Sequence, residues 1–227
     1  MIEGQPPPSQ QDSIFWRQSA HHQAERIQKR RWGWPVRAQI MPGSVASGSA
    51  VRRGCGTGGT ERESSWMAAL ATIGVYGFDR ESFLATLGEA GVELVLDVRQ
   101  RRGVRGAEYA WANAKRLEAA LAEAGIGYSH LAELAPTTSM REAQYREDAR
   151  RGEGKRSRTV LAPEYVRRYE EEILAVVDLE PIVAWVGASK AALLCVERDA
   201  EACHRSLLAA RLERDFGFAV EHLRPDD

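Results

Sequence analysis

The sequence is poor in cysteine, with three in 227 residues, and so small and odd a number does not indicate a disulfide framework. It has no apolar run near the roughly 20 residues needed to span a bilayer, and its polar N-terminal residues lack the continuous apolar stretch that a secretory signal contains. It also lacks an excess of charge, since 31 Lys and Arg oppose 32 Asp and Glu. That balance argues against a general nucleic-acid coat protein, although it allows a local basic patch. We therefore expect a cytoplasmic protein that makes no contact with membranes.

The composition changes near residue 66. Residues 1–66 contain three consecutive prolines and a stretch from 43 to 59 rich in Gly, Ser and Thr, and no period of 2 or 3.6 persists there. We interpret residues 1–66 as a disordered extension, or as a mis-assigned segment upstream of a true start at Met67. Residues 67–227 are predicted to form a single domain.

Short apolar runs alternate with amphipathic helical patterns from residue 67 onward. Strands are predicted at residues 71–76, 92–98, 127–131, 191–196 and 219–223. Helix starts are predicted at Asp79, Asn113, Pro163 and Asp199. The charged stretch 139–158 is interpreted as an insert. The alternation predicts an α/β fold, a three-layer, Rossmann-like arrangement in which helices cover both faces of a mostly parallel sheet.

Polar residues gather where the predicted strands end. Asp97 and Arg99 close the second strand, where they can hold a ligand or satisfy each other. Glu197 closes the fourth strand, where we expect its pKa to be raised unless Arg99 or Arg205 pairs with it. In open parallel sheets, ligand sites form beyond the carboxyl ends of the strands, so we expect these side chains to share one crevice. Gly74 is expected to contribute to the same edge.

A Cys-His-Arg run is predicted to open the last helix. Cys203 beside His204 and Arg205 is a candidate nucleophile, because a helix N-terminus and neighbouring cations lower the pKa of a thiol. Cys195 lies in an apolar run and reads as a buried thiol. A metal site from these residues and Glu197 is an alternative, but no CxxC or HxxxH spacing supports it, so no metal is predicted.

Two arginine-rich stretches, at 99–105 and 150–158, suit phosphate. The first ends at Arg105, and Tyr76 lies at the end of the first strand, so that both are candidate substrate-binding residues. The alternative is a pair of solvated loops. The Walker A, GxGxxG and RNP patterns are missing, so that no cofactor can be named.

Four segments carry a resemblance to a known family. They are TIG at 72–74, LVLDVR at 94–99, GIGYSHLAEL at 125–134 and ALLCVERDAEACHRSLLA at 192–209. The chain resembles the bacterial domain-of-unknown-function family number 488 over roughly residues 70–223. That family often continues TIG with His-Ser and carries Leu-Gly-Gly, where this chain has Val75-Tyr76 and Leu134-Ala135-Pro136. The resemblance implies a Rossmann-like fold with its site at these motifs, and it implies no reaction.

Three functions follow from these observations. The first is an enzyme acting on a phosphate-bearing, nucleotide or nucleic-acid substrate, with Asp97, Glu197, Cys203 and His204 as catalytic candidates. Substrate binding falls to Gly74, Tyr76, Arg99, Arg105 and Arg205. The second is a non-catalytic nucleic-acid or nucleotide-binding module that uses the arginine-rich loops. The third is a thiol redox or sulfur-transfer protein, which would require an exposed Cys203. The oligomeric state is not predicted.

Overall fold

Five strands form one sheet in the computed structural model, which describes residues 69–154 and 156–225. The strands are β1 (Ala69–Gly74), β2 (Leu94–Asp97), β3 (Gly127–His130), β4 (Ala191–Cys195) and β5 (Ala219–Leu223). They lie in the order β3-β2-β4-β1-β5, and each neighbouring pair is parallel. The predicted Rossmann-like α/β fold is confirmed. The extension predicted for residues 1–66 lies outside the described residues.

Six α-helices cover the sheet within the described ranges. They are α1 (Arg80–Glu89), α2 (Ala114–Glu123), α3 (Thr138–Arg151), α4 (Pro163–Tyr169), α5 (Glu180–Ala188) and α6 (His204–Phe216). A π-helical turn, Glu170–Leu174, continues α4, and short 3-10 turns occur at Ala107–Ala112 and Ala132–Leu134. None of these helices combines the length and apolar character needed to cross a membrane.

The core has two halves, one on each face of the sheet. Successive residues of β4, Leu193 and Leu194, belong to opposite halves, because neighbouring side chains of a strand point to opposite faces. Helices α1 and α2 pack on the Leu194 side, and α3 to α6 pack on the Leu193 side. A strand covered in this way must be apolar throughout, and every residue of β4 is buried.

Local sequence signals place most element ends. Asp79 caps α1 as predicted, since its carboxylate accepts a hydrogen bond from the backbone N–H of Ser82 at 2.8 Å. Gly217 ends α6 in a left-handed conformation (φ 72°), which glycine adopts without strain. The predicted start of this last helix at Asp199 is wrong, because α6 begins at His204 and Cys203 occupies the N-cap position.

Candidate functional site

A cavity of about 580 Å³ opens at the carboxyl ends of the strands, and its volume lies within the usual range of ligand sites. Its wall combines residues that follow β1, β2 and β4 with residues of α3 and α4. The residues that line it are Tyr76, Arg99, Gln100, Arg101, Gly103, Val104, Arg105, Pro136, Thr138, Arg141, Glu142, Gln144, Tyr145, Arg158, Leu161, Tyr165, Cys195, Val196, Glu197, Ala202, Cys203 and His204.

The floor of the cavity is a cluster of two thiols, an imidazole and a carboxylate. His204 Nδ1 lies 3.8 Å from Cys195 Sγ and 3.8 Å from Cys203 Sγ. The Cys195 thiol lies 3.7 Å from Glu197 Oε2. The turn that precedes α6 brings Cys203 and His204, which follow Cys195 by eight and nine positions, back to the end of β4. Glu197, Cys203 and His204 are therefore brought together, and Cys195 joins them.

The His204 ring is fixed by the main chain. Its Nε2 lies 3.0 Å from the carbonyl oxygen of Val98, and a carbonyl oxygen can only accept, so Nε2 carries a hydrogen. Nδ1 is then the atom presented to the two sulfurs. The Tyr169 ring packs edge-on against the imidazole with centroids 5.3 Å apart, and the Tyr169 hydroxyl donates to the carbonyl of Leu134 at 2.8 Å.

The cluster shifts the pKa values of the two thiols in opposite directions. A hydrogen bond with Cys203 and burial raise the pKa of Cys195 well above its ordinary value. Burial opposes ionisation of Cys203, but the Cys195 hydrogen bond and the charges of Arg205 and His204 outweigh it, and its pKa falls well below the ordinary value. Burial also disfavours the imidazolium, yet the neighbouring Cys203 sulfur raises the pKa of His204 overall. Negative charge is therefore favoured on Cys203.

Exposure limits what the thiols can do. The Cys195 and Cys203 side chains are only 4% and 2% exposed. The role of Cys203 as a nucleophile stays a prediction. The ligand atoms of Cys195, Cys203 and His204 all lie within 4.8 Å of one another. In the part of the chain that the structure describes, these three side chains are the ones that could hold a metal ion.

Asp97 and Arg99 form a closed pair. Arg99 Nε and Nη2 donate to the two carboxylate oxygens of Asp97 at 2.8 and 2.7 Å, and Arg99 Nη1 donates to the Ala112 carbonyl at 2.9 Å. The Tyr128 hydroxyl also donates to Asp97 at 2.6 Å. Arg99 reaches the cavity wall, whereas Asp97 is fully buried and outside the lining. The pair fixes the chain segment that follows β2. Because Nε, Nη1 and Nη2 of Arg99 already donate hydrogen bonds within the protein, few of its N–H groups remain for a ligand.

Arg205 and Gly74 hold the chain that leaves β4. Arg205 Nη1 and Nη2 donate to the carbonyls of Glu197 at 2.6 Å and Arg198 at 2.8 Å, and Arg205 is 1% exposed. A Cβ atom on Gly74 would lie 1.9 Å from the Glu197 carbonyl oxygen, so that only glycine permits this approach. Gly74 and Arg205 thus position Glu197, and neither lines the cavity.

A buried polar network that the sequence analysis missed supports Glu197 from the other side. Arg158 Nη1 lies 3.7 Å from Glu197 Oε1, while its Nε donates to the Asp148 carboxylate at 3.0 Å. Gln144 donates to Asp148 at 2.7 Å and accepts from the Ala162 N–H at 2.8 Å. The sequence signal is the i, i+4 spacing of Gln144 and Asp148 on one face of α3. Among the described residues, Arg158 is a charged partner of Glu197. The guanidiniums of Arg99 and Arg205, the two partners considered from the sequence, bond to Asp97 and to main-chain carbonyls instead.

The rim of the cavity is basic and aromatic. Arg101 and Arg105 are exposed, and within residues 69–154 and 156–225 neither guanidinium makes an ion pair. The Tyr76 ring lies 5.0 Å from that of Tyr109, and Arg156 Cζ lies 5.2 Å from the Tyr76 centroid. Of the predicted substrate-binding residues, Tyr76, Arg99 and Arg105 therefore line the cavity.

Fold and site together define an α/β protein with a parallel sheet whose strand-end cavity holds a buried thiol-imidazole-carboxylate cluster. A family model described as "Domain of unknown function DUF488" matches residues 79–212, more than half of the chain. The chain belongs to this family. No curated protein and no solved structure matches it.

Proposed function

We propose that the protein is an enzyme that acts on a phosphate-bearing, nucleotide or nucleic-acid substrate in the strand-end cavity. The observation that carries the proposal is the joining of two features in one cavity of about 580 Å³. Arginines line its rim, and a thiol, an imidazole and a carboxylate share its floor. Titratable groups gathered in a cleft are typical of catalytic sites.

The rim is the binding end. The guanidiniums of Arg101 and Arg105 are exposed beside the cavity, and the planar guanidinium fork matches the oxygens of a phosphate group. Arg141 lines the same wall, and its buried Nε has no hydrogen-bond partner among the described residues. The Tyr76 ring lines the cavity, and a base can stack on it in place of the Arg156 guanidinium that lies over it. This combination supports a nucleotide or a nucleic-acid end as the substrate.

The floor is the reacting end. Glu197 lines the cavity beside the Cys195 thiol, and we assign it general acid-base work. Cys203 and His204 belong to the same end. Asp97 and Arg205 serve as positioning residues, because Asp97 orients the Arg99 side chain and Arg205 binds the Glu197 carbonyl.

Ligand-induced thermal shifts test the binding end, with AMP, ADP, ATP, a short single-stranded oligonucleotide and inorganic phosphate as probes. The double variant Arg101→Ala/Arg105→Ala should weaken binding by roughly tenfold to a hundredfold, since a hydrogen bond to a charged group contributes about 1.5–3 kcal/mol. Arg116→Ala, which removes an exposed arginine on α2 outside the cavity, is the matched control. If no probe raises the unfolding temperature, or if the double variant binds like the control, the proposal is wrong.

Product analysis tests the reacting end. We expect Glu197→Gln to abolish conversion of the bound probe while its affinity stays within about threefold, because the amide keeps the shape of the carboxylate and cannot take a proton. Full conversion by this variant would contradict the assignment.

A non-catalytic binding module is the second candidate. It is favoured by Arg101 and Arg105, which are exposed and form no ion pair with any other residue that the structure describes. Binding that falls steeply with added salt, survives Cys203→Ala and Glu197→Gln, and yields no product would establish it. The thiol redox or sulfur-transfer alternative needs an exposed Cys203, whose side chain the structure buries. We also infer a cytoplasmic location, in which the Cys195 and Cys203 thiols stay reduced.

A further inference from the structure

Three donor atoms converge at the floor of the cavity. Cys195 Sγ, Cys203 Sγ and His204 Nδ1 lie within 4.8 Å of one another, and all three residues are buried. In a tetrahedral zinc site, bond lengths near 2.3 Å to sulfur and 2.05 Å to nitrogen separate a sulfur and a nitrogen ligand by about 3.6 Å. Both sulfur-to-Nδ1 separations here are 3.8 Å. The donors already stand close to the spacing that one ion would impose.

The imidazole is oriented as a ligand. The bond from Nε2 to the Val98 carbonyl requires a hydrogen on Nε2, so that loss of the other ring proton leaves the lone pair on Nδ1. Histidines that bind metals almost always donate their second ring N–H in this way, and a backbone carbonyl is one of the usual acceptors. The outer partner of this ligand is therefore in place.

The donor set is specific in chemical class. Two sulfurs and one imidazole nitrogen favour a thiophilic ion of borderline softness, and they disfavour Mg²⁺ and Ca²⁺, which prefer oxygen. We propose that Cys195, Cys203 and His204 bind one thiophilic divalent cation, of which Zn²⁺ is the type, with a coordination position open to the cavity. The Cys203 sulfur is then a ligand and not the nucleophile predicted from the sequence. Binding displaces the protons of the donors, because thiolate and neutral imidazole are the forms that ligate.

The open position gives the site a catalytic character. Three protein ligands and a free position distinguish catalytic from structural zinc sites, and all three ligands line the cavity. Glu197 lines the same cavity, with Oε2 3.7 Å from Cys195 Sγ, and we assign its carboxylate to take a proton from a water molecule bound at the open position. The inference deepens the proposed function, on which it rests for the arrival of a phosphate-bearing substrate at this floor.

Metal content is the direct test. The full chain, purified without chelator or metal-affinity resin from zinc-supplemented medium, should carry about one equivalent of zinc by inductively coupled plasma mass spectrometry. Metal-free protein titrated with Co²⁺ should give thiolate-to-metal charge-transfer bands and the intense d–d bands of a tetrahedral site. Cys195→Ser and Cys203→Ser should weaken Co²⁺ binding more than about 100-fold, since loss of an outer partner alone costs roughly 10–100-fold. Cys55→Ser, which changes the third cysteine of the chain, is the matched control and should bind like the native protein.

The native protein decides the matter even if a variant fails to fold, which circular dichroism will show. Less than about a tenth of an equivalent of zinc, together with a Co²⁺ titration that lacks thiolate bands, overturns the inference. Nucleotide-induced stabilisation measured on the same metal-free preparation keeps the two proposals apart. If a nucleotide stabilises the protein but no metal binds, only the metal site is refuted. If metal binds but no probe stabilises the protein, only the proposed function is refuted.

Discussion

The substitution Asp97→Asn tests whether the pair at the end of β2 is structural. The Asp97 and Arg99 side chains are 0% and 1% exposed. The Asp97 carboxylate accepts four hydrogen bonds, from the Arg99 backbone N–H at 3.0 Å, from Arg99 Nε and Nη2 at 2.8 and 2.7 Å, and from the Tyr128 hydroxyl at 2.6 Å. Asparagine has nearly the same shape, but it carries no charge and its amide nitrogen cannot accept.

The expected loss is large because the substitution leaves a guanidinium without a counter-ion. Breaking a buried ion pair by removing one partner costs about 3–5 kcal/mol, against a total of roughly 5–15 kcal/mol for a typical domain. The double variant Asp97→Asn/Arg99→Met removes the stranded cation as well. We expect it to be more stable than the sum of the single losses predicts, by roughly 0.5–3 kcal/mol.

Urea unfolding followed by circular dichroism measures these free energies. Glu123→Gln is the control, because it breaks an ion pair with Arg80 in which the two side chains are 68% and 51% exposed, and such pairs contribute about 0–1 kcal/mol. If Asp97→Asn costs no more than this control, or if the single losses simply add up in the double variant, the buried pair does not stabilise the chain after β2. The residues would then be free for a role in the reaction.

Two further predictions concern backbone and cap. Gly74→Ala should destabilise the protein by about 1–3 kcal/mol or more in urea unfolding, because the added Cβ would lie 1.9 Å from the Glu197 carbonyl oxygen. The control Gly88→Ala adds a Cβ that meets nothing within 4 Å, so it should be neutral or stabilising. Equal effects of the two substitutions would refute the clash. The backbone hydrogen bond from Ser82 lowers the pKa of Asp79 below its ordinary 3.8, so that its stabilising contribution is present above that value and is lost as the pH falls through the lower, folded pKa. The free energy of unfolding of Asp79→Asn should therefore fall less steeply with acid than that of the native protein, and parallel profiles would contradict this.

Buried strands were the most predictable part of the fold. A strand covered on both faces must be continuously apolar, and β4 is such a run. Helix α3 gave no hydrophobic periodicity, because only Met140, Gln144 and Asp148 of its fourteen residues are buried and two of these three are polar. Helix α5 was missed as well, since its nearly uniform apolar sequence has no helical period to detect. The start of α6 was misplaced because Asp199 has the right chemistry for a cap, while the position of Cys203 is fixed by its packing in the cluster.

The place of the site was predictable, but the pairing of its charges was not. Parallel strands must end at one edge, so Cys195 and the residues after β2 had to meet there. Which arginine faces Glu197 depends on how the insert folds. Arg158 reaches it only because α3 forms and presents Asp148 as an anchor, and nothing in the local sequence around either residue encodes that contact.

The hydrogen bond that orients the imidazole of His204 goes to a main-chain carbonyl, that of Val98. The backbone N–H of Val98 in turn donates a hydrogen bond to the carbonyl of Leu194 on the neighbouring strand at 3.1 Å. The His204 ring is therefore anchored, through Val98, to the sheet itself. No exchange of the Val98 side chain deletes this acceptor. The walls of the cavity can therefore be redesigned for other ligands while the direction in which the ring faces is inherited from the scaffold.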